Sequence, residues 1–249
     1  MLTKQRQELL LKLLEEKGSI TVAEGSALLA TSESTVRRDI TALDREGKLT
    51  KVFGGAVASE QKISAHEYTV AQKSDLNREE KRVIAKYAAS MIEPEDFVYI
   101  DAGTTTARMI DYIEERSATF VTNAVAHAQR LALLGMKVLL VGGELKASTE
   151  AVVGNQAMQT LQSYHFTKGF FGTNGVTKRS GCTTPDANEA MVKRTAMEQC
   201  KESYVLCDSS KFGKVSAVTF APFTSTRFLT EKKSCGYEDS GNIFICMAE

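Results

Sequence analysis

The chain has no long apolar run. Its opening stretch, "MLTKQRQELLLKLLEEKG", interleaves lysine, arginine and glutamate with its leucines, so it offers neither the centre of a signal peptide nor a membrane span. A cytoplasmic protein without a membrane partner is predicted. Low-complexity tracts are also missing, and 43% hydrophobic with 25% charged residues is the composition of an ordinary folded domain. Disordered and fibrous classes are thereby excluded. Cysteine is scarce and odd in number: Cys182, Cys200, Cys207, Cys235 and Cys246 show no C-x-x-C spacing, which argues against a disulfide frame and a zinc site. Only His66, His127 and His165 could add imidazole ligands, and they stand far apart, so no metal centre is predicted. Charge of one sign is lacking too, with 31 basic against 31 acidic residues. Affinity for a polyanion must therefore come from local arrangement.

Such an arrangement lies in "TSESTVRRDITALDREGKLTKVFGGAV", residues 31 to 57. A chain of 249 residues has room for one large domain or two smaller ones. Hydrophobic periodicity predicts a first helix over 3–17, with Thr3 as N-cap and Gly18 as its stop, and a second over 22–30. Ser32 caps a third, on which Val36, Ile40 and Leu43 recur at i, i+4 and i+7 as the buried stripe before Gly47 ends it. The alternating run "KLTKVFGGAV", closed by two glycines, suits a small β-wing. Opposite Val36, the residues Ser34, Arg38, Thr41 and Arg45 share one face, with Asp39, Asp44 and Glu46 on its flanks. Arginine's fork grips guanine edges or phosphates, and hydroxyls suit either, so Ser34, Thr35, Arg37, Arg38, Thr41 and Arg45 are candidate DNA-binding residues. An isolated arginine pair commonly does no more than solvate a helix. Here a capped helix, a preceding short helix and a wing frame it as a helix-turn-helix, whose second helix enters the major groove.

The polar stretch "ASEQKISAHEY" opens a linker over 58–77, separating a DNA-binding domain over 1–57 from an α/β domain over 78–249. In the latter, "FVYI", "TFVT", "KVLLV", "KGFF" and "YVLC" alternate with helical stretches, the pattern of βα units around a largely parallel sheet. Ligands of such sheets sit beyond the carboxyl ends of the strands. The residues there are Asp101, Gly103, Thr104, Thr105 and Thr106; Thr122 and Asn123; Gly142 and Gly143; Gly172, Asn174 and Gly175; and Asp208 and Lys211. In "DAGTTTARMIDYI" a glycine and three threonines stand where a strand turns into a helix, so N–H groups, hydroxyls and the helix dipole can meet a phosphate. Lys211 and Lys193 are the cations expected to reach the ligand from the far side, with Asp208 orienting Lys211 or binding sugar hydroxyls.

The order of residues in "STVRRDITALDREGKLTKVFGGAV" resembles the signature of the DeoR family of bacterial repressors. "DAGTTT", "VTN", "GG", "GTNGV" and "CDSSKFG", in that order, resemble its sensor domain, and the likeness covers essentially the whole chain. The resemblance implies a winged helix-turn-helix domain joined to a Rossmann-like parallel-sheet domain similar to ribose-5-phosphate isomerase and coenzyme A transferases. It also implies a homodimer or homotetramer on operator DNA and a phosphorylated sugar as effector, with no other cofactor; Glu189 joins the effector-binding candidates. "VGGELKASTEAVVGNQAM" looks closest to the fructose-operon branch, whose effector is expected to be fructose 1-phosphate. Two departures stand out: Phe53 replaces a histidine common in the wing, and Gly25 lies inside the second helix. A reading of another class is a sugar-phosphate isomerase using Lys193, Lys211, Asp186, Glu189 and Asp208 as acid, base and phosphate clamp. Such an enzyme has no need of the first 57 residues, which favours the repressor.

Overall fold

The computed structural model describes residues 2–17, 19–58, 69–234 and 236–247. Gly18, His66, Cys235 and the stretch 59–68 lie outside the described residues. Two units result, Met1–Lys62 with Ser234–Asp239, and Ile63–Lys233 with Ser240–Glu249.

The first unit contains α1 (Thr3–Lys17), β1 (Ser19–Thr21), α2 (Val22–Leu28), α3 (Glu33–Arg45), β2 (Leu49–Val52) and β3 (Gly55–Ala58). Thr21 caps α2 in a capping box with Glu24, and Ser32 caps α3 through its hydroxyl to the Thr35 N–H. Helix α2 stops two residues earlier than periodicity suggests, because Ala30 turns left-handed at φ 47°. Val36, Ile40 and Leu43 are buried as expected and meet Leu10 and Leu14 of α1 and Ile20 of β1. Gly25 has a packing reason: a Cβ there would stand 3.0 Å from Cγ1 of Val36, so the missing methyl lets α2 approach α3. That contact accompanies a helix-propensity penalty of roughly 0.5–1 kcal/mol relative to alanine.

The three strands run in the order β1-β3-β2, all antiparallel. Periodicity misses β1, a three-residue strand. The two glycines follow the run of β2 as expected: Gly54 takes φ +82° in the turn, and Gly55 opens β3. Gly55 packs so tightly that a Cβ would lie 2.2 Å from the Ile20 carbonyl oxygen. Asp39 differs from the sequence reading as well. Expected on an exposed flank, it is 3% exposed and grips Arg6 of α1, Nε to Oδ2 at 2.5 Å and Nη2 to Oδ1 at 3.1 Å. This acid is withdrawn from the face of α3 and ties α3 to α1.

The second unit comprises α4 (Val70–Ser74), α5 (Arg78–Ser90), β4 (Phe97–Ile100), α6 (Thr104–Met109), β5 (Thr119–Thr122), α7 (Val125–Leu133), β6 (Lys137–Leu140), β7 (Glu144–Lys146) and β8 (Ala151–Val153). It continues with α8 (Asn155–Gln162), β9 (Phe166–Gly172), β10 (Gly175–Thr177), β11 (Gly181–Thr184), α9 (Ala187–Glu198), β12 (Cys200–Leu206), β13 (Val218–Ala221), β14 (Arg227–Thr230) and β15 (Ile243–Ile245). Seven strands form one sheet in the order β15-β14-β12-β9-β4-β5-β6, every pair parallel. The five apolar runs read as strands are all in it. Burial on both faces explains the nearly unbroken hydrophobicity of β4, β5, β9 and β12, whose Val98, Ile100, Phe120, Phe170 and Leu206 pack with Ile84 and Ala88 of α5. Edge strand β6, by contrast, leaves Leu139 and Leu140 exposed. Because all seven point the same way, the segments after β4, β9 and β12 leave from one edge. Helix α4 lies inside the stretch read as linker; its Thr69–Gln72 capping box is the local signal for it.

Candidate functional site

Two surfaces carry the polar residues singled out above, one in each unit. On α3, Ser34, Arg37, Arg38 and Arg45 are exposed, while Thr35 and Thr41 are half-buried. Arg37 is held back along the helix by Glu33 at 2.8 Å, and the Thr41 hydroxyl donates to the Arg37 carbonyl at 2.8 Å. Hydroxyls of Ser34 and Thr35 each lie 2.9 Å from that of Ser32, so both belong to the cap. The structure adds a cation the sequence reading omitted: Lys51 of β2 reaches across and donates from Nζ to the Thr41 hydroxyl at 3.1 Å. Its N–H is fixed by the Asp44 carboxylate at 2.9 Å, which gives that flanking acid the task of docking the wing on α3. Phe53 stands fully exposed at the wing.

In the second unit a cleft opens at the carboxyl edge of the sheet. Of the predicted residues, Gly103, Thr104, Thr105, Asn174, Glu189, Lys193, Asp208 and Lys211 line it, together with Gly172. Asp101 sits directly beneath, 1% exposed, taking a hydrogen bond from the Gly172 N–H at 2.9 Å and an ion pair from Lys193. Burial pushes the Asp101 carboxyl up from its ordinary range, the Lys193 ammonium opposing. Lys193 also stands 5.7 Å over the ring of Phe220. It is thus a buried helix lysine, not a solvated one.

The remaining predicted residues do not line the cleft, and all but Gly142 have a structural task. The Thr106 hydroxyl donates inward to the carbonyls of Asp101 and Gly103, at 2.6 and 2.9 Å. The Thr122 hydroxyl accepts from the Ala124 N–H at 3.1 Å. Asn123 accepts from Tyr99 and from the Ala102 N–H, both at 3.0 Å, and donates to the Val152 carbonyl at 3.1 Å, bracing the loop before Gly103. A Cβ on Gly143 or Gly175 would come within 2.7 Å of the Val153 carbonyl or 2.3 Å of the Lys214 carbonyl, so both glycines serve close backbone packing. Gly142 is exposed. Asp186, the enzyme reading's further acid, caps α9 by accepting from the Glu189 N–H at 2.8 Å and pairs with Lys146 at 3.0 Å.

Sequence reasoning missed Val70, Lys73 and Leu76, which complete one wall, and Thr149, which donates to the Glu189 carboxylate. It also missed Lys81. This lysine of α5 is 3% exposed, donates to the Lys73 carbonyl, and is lowered to about 8, chiefly by burial and next by Lys211. Four lysines, Lys73, Lys81, Lys193 and Lys211, therefore line the cleft. Facing them, Asp208 is 1% exposed; its Oδ1 accepts from Asn77 at 2.9 Å and from the Ser210 N–H at 3.1 Å, while its Oδ2 is buried without a hydrogen-bond partner. Behind Gly103, burial brings His127 down to about 4, so it is neutral at physiological pH. Chemically, the cleft can neutralise an anion with ammonium groups and accept hydroxyls on carboxylates. Among the described residues no three His, Cys, Asp or Glu side chains are grouped to hold a metal ion.

Two family models match the chain, the DeoR-like helix-turn-helix domain over residues 6–62 and the DeoR C terminal sensor domain over residues 76–232. An uncharacterized HTH-type transcriptional regulator, FruR, of Bacillus subtilis is 39% identical over 92% of this chain and 91% of its own length. A lactose phosphotransferase system repressor of Staphylococcus epidermidis is 37% identical over 82% of this chain and 81% of its own. Among solved structures, ribose 5-phosphate isomerase A of Methanocaldococcus jannaschii aligns over 55% of this chain and 56% of that one, at 16% identity and a TM-score of 0.43.

Proposed function

Because the chain belongs to the DeoR family of transcription regulators, we propose that it represses a sugar-utilisation operon, that of fructose, and that a phosphorylated sugar such as fructose 1-phosphate sets its affinity for the operator. The observation that carries this reading is the pairing of an arginine-bearing face on α3 with a cleft in the second unit lined by Lys81, Lys193 and Lys211. The first is suited to DNA, the second to a small phosphate ester, and a repressor under metabolite control needs both. No cofactor beyond the effector enters the mechanism. The protein works in the cytoplasm as a homodimer or homotetramer, since helix-turn-helix proteins read paired half-sites through their own symmetry. It acts as a regulator and not as an enzyme, in keeping with the relatives named transcriptional regulators and repressors. A gel-shift on the promoter upstream of the gene, run beside an isomerisation assay on pentose and hexose phosphates, tests the reading. Specific DNA retention without turnover is expected; turnover without DNA binding would reverse it.

In this mechanism the phosphate rests on the N–H groups of Gly103 to Thr106, where β4 passes into α6. The sugar hydroxyls meet Asp208 and Asn174, and Lys211 closes on the anion from the opposite side. Thr104 is half-buried at this loop. Thr104→Glu should repel the phosphate: calorimetry on the full chain should find binding of fructose 1-phosphate lost, with an unchanged melting transition. Undiminished binding by the folded variant would place the phosphate elsewhere. Lys211→Met removes a cation while leaving α3 untouched. Binding free energies at coupled sites are reciprocal, so this variant should hold its operator as the wild type does and need about tenfold more sugar phosphate to respond, the share of a single charge-assisted contact. A wild-type response midpoint would take Lys211 out of the site.

A further inference from the structure

We propose that Lys81 is a cation the effector's phosphate takes over, and that this exchange releases α4 from the wall of the cleft. The proposal rests on the reading of the cleft as a phosphosugar site.

The geometry begins with α4. Five residues cannot hold a helix on their own, since isolated helices below about 12–15 residues are marginal in water. Its place depends on tethers to the rest of the unit. The Val70 N–H donates to the Ser148 carbonyl at 3.4 Å, and Arg108 Nη2 to the Ser74 carbonyl at 3.1 Å. Lys81 Nζ donates to the Lys73 carbonyl, and Asn77, just past the helix, donates to Asp208 Oδ1 at 2.9 Å and to the Ser210 hydroxyl at 3.1 Å. Two of these tethers end on Lys81 and Asp208, both of which line the cleft. A ligand that uses those side chains competes with the contacts that hold α4.

Lys81 is the more exchangeable of the two. Its ammonium is buried, and the acceptor it uses is a neutral carbonyl, a poor match for a cation out of water. Its lowered pKa agrees with that position, with Lys211, Arg108 and Lys73 acting against its charge and Asp208 for it. A phosphate oxygen offers a charge-assisted bond roughly twice as strong as one to a neutral carbonyl. Once a phosphate lies between Lys81 and Lys211, it also removes their mutual repulsion. The Lys73 carbonyl then loses its ammonium, and α4, which places Val70, Lys73 and Leu76 on the cleft, loses a tether. Among the described residues helix α4 is the first element after β3 in chain order, so a segment that lies between the wing and the parallel sheet in sequence senses occupancy.

Hydrogen–deuterium exchange on the full chain tests this, with fructose 1-phosphate and inorganic phosphate as probes and calorimetry on the same samples. In the wild type, fructose 1-phosphate should speed exchange of the amides of residues 70–76 by roughly tenfold while slowing those of 103–106. Lys81→Met should show the faster 70–76 exchange with no ligand present and bind the sugar phosphate at least about tenfold more weakly, the share of a charged hydrogen bond. Lys81→Arg, which keeps the charge, should stay within a few-fold of the wild type in both readouts and decides the matter if the methionine variant does not fold. Equal binding by wild type and Lys81→Met, or 70–76 exchange that ligand leaves unchanged, would overturn the proposal while the phosphosugar reading stands. A wild type that binds none of the hexose or pentose phosphates would overturn that reading and the proposal with it.

Discussion

Lys193→Met should destabilise the second unit by about 3–5 kcal/mol at neutral pH, the cost of leaving one member of a buried ion pair alone. Asp101 would remain under the cleft, 1% exposed, with the Gly172 N–H and no cation. Methionine keeps most of the lysine's volume and can still lie against Phe220, so the loss reports charge and not a cavity. The pH dependence follows from the sign of the Asp101 shift. Burial already raises this carboxyl above its ordinary value with Lys193 present, and without the ammonium it rises further. The folded variant therefore holds the Asp101 proton more tightly than the unfolded chain, whose aspartates titrate near 3.9. Its deficit should be full above the folded pKa and shrink as pH falls through that value. Urea unfolding of wild type, Lys193→Met and the double variant Asp101→Asn/Lys193→Met, at neutral and mildly acidic pH, checks the point. The double variant should recover much of the loss. A deficit below about 1 kcal/mol, or one that does not change with pH, would mean that Lys193 does not neutralise Asp101.

Arg38→Ala should cost about 1–3 kcal/mol of operator binding and should cost it selectively, weakening the specific site far more than random DNA. Arg38 is exposed on the face of α3 opposite Val36, and no acid pairs with it among the described residues. Arg37 differs. Its pairing with Glu33 at 2.8 Å holds it along the helix and not outward, which suits a phosphate contact from the flank. Arg37→Ala should accordingly weaken specific and random DNA alike and flatten the salt dependence of both. Fluorescence anisotropy at two salt concentrations separates the two residues. An unchanged ratio of specific to random affinity in Arg38→Ala would refute its role in base reading.

The recognition helix was legible because a 3.6-residue period is local: Val36, Ile40 and Leu43 declare the buried stripe, and the opposite face follows from geometry. Asp39 was only partly legible. A wheel of α3 sets it about 60° from Val36, at the edge of the buried stripe, but its partner Arg6 lies in α1, 33 residues back, so the wheel could not show the ion pair that holds this acid inward. Strands buried on both faces announced themselves as apolar runs. Three-residue β1, β7 and β10 did not, because strands so short are fixed by their neighbours and carry almost no period of their own.

In the cleft, the parallel sheet brought Gly103, Asn174 and Asp208 to one edge, as the strand-end rule requires. The same rule cannot tell Thr104, which faces the cleft, from Thr106, whose hydroxyl turns back to the Asp101 carbonyl. Nor does it reach Lys81, which sits in "REEKR" like any solvated helix lysine until α5 packs it beside Asp208 and Lys211.

Titration of fructose 1-phosphate into a preformed complex of the full chain with its operator is the measurement closest to the central claim that one chain reads DNA and a sugar phosphate together. The fraction of DNA bound should change saturably with the sugar phosphate, with a midpoint that rises about tenfold in Lys211→Met. Bound DNA that stays constant through saturating fructose 1-phosphate and a panel of other hexose and pentose phosphates would contradict it.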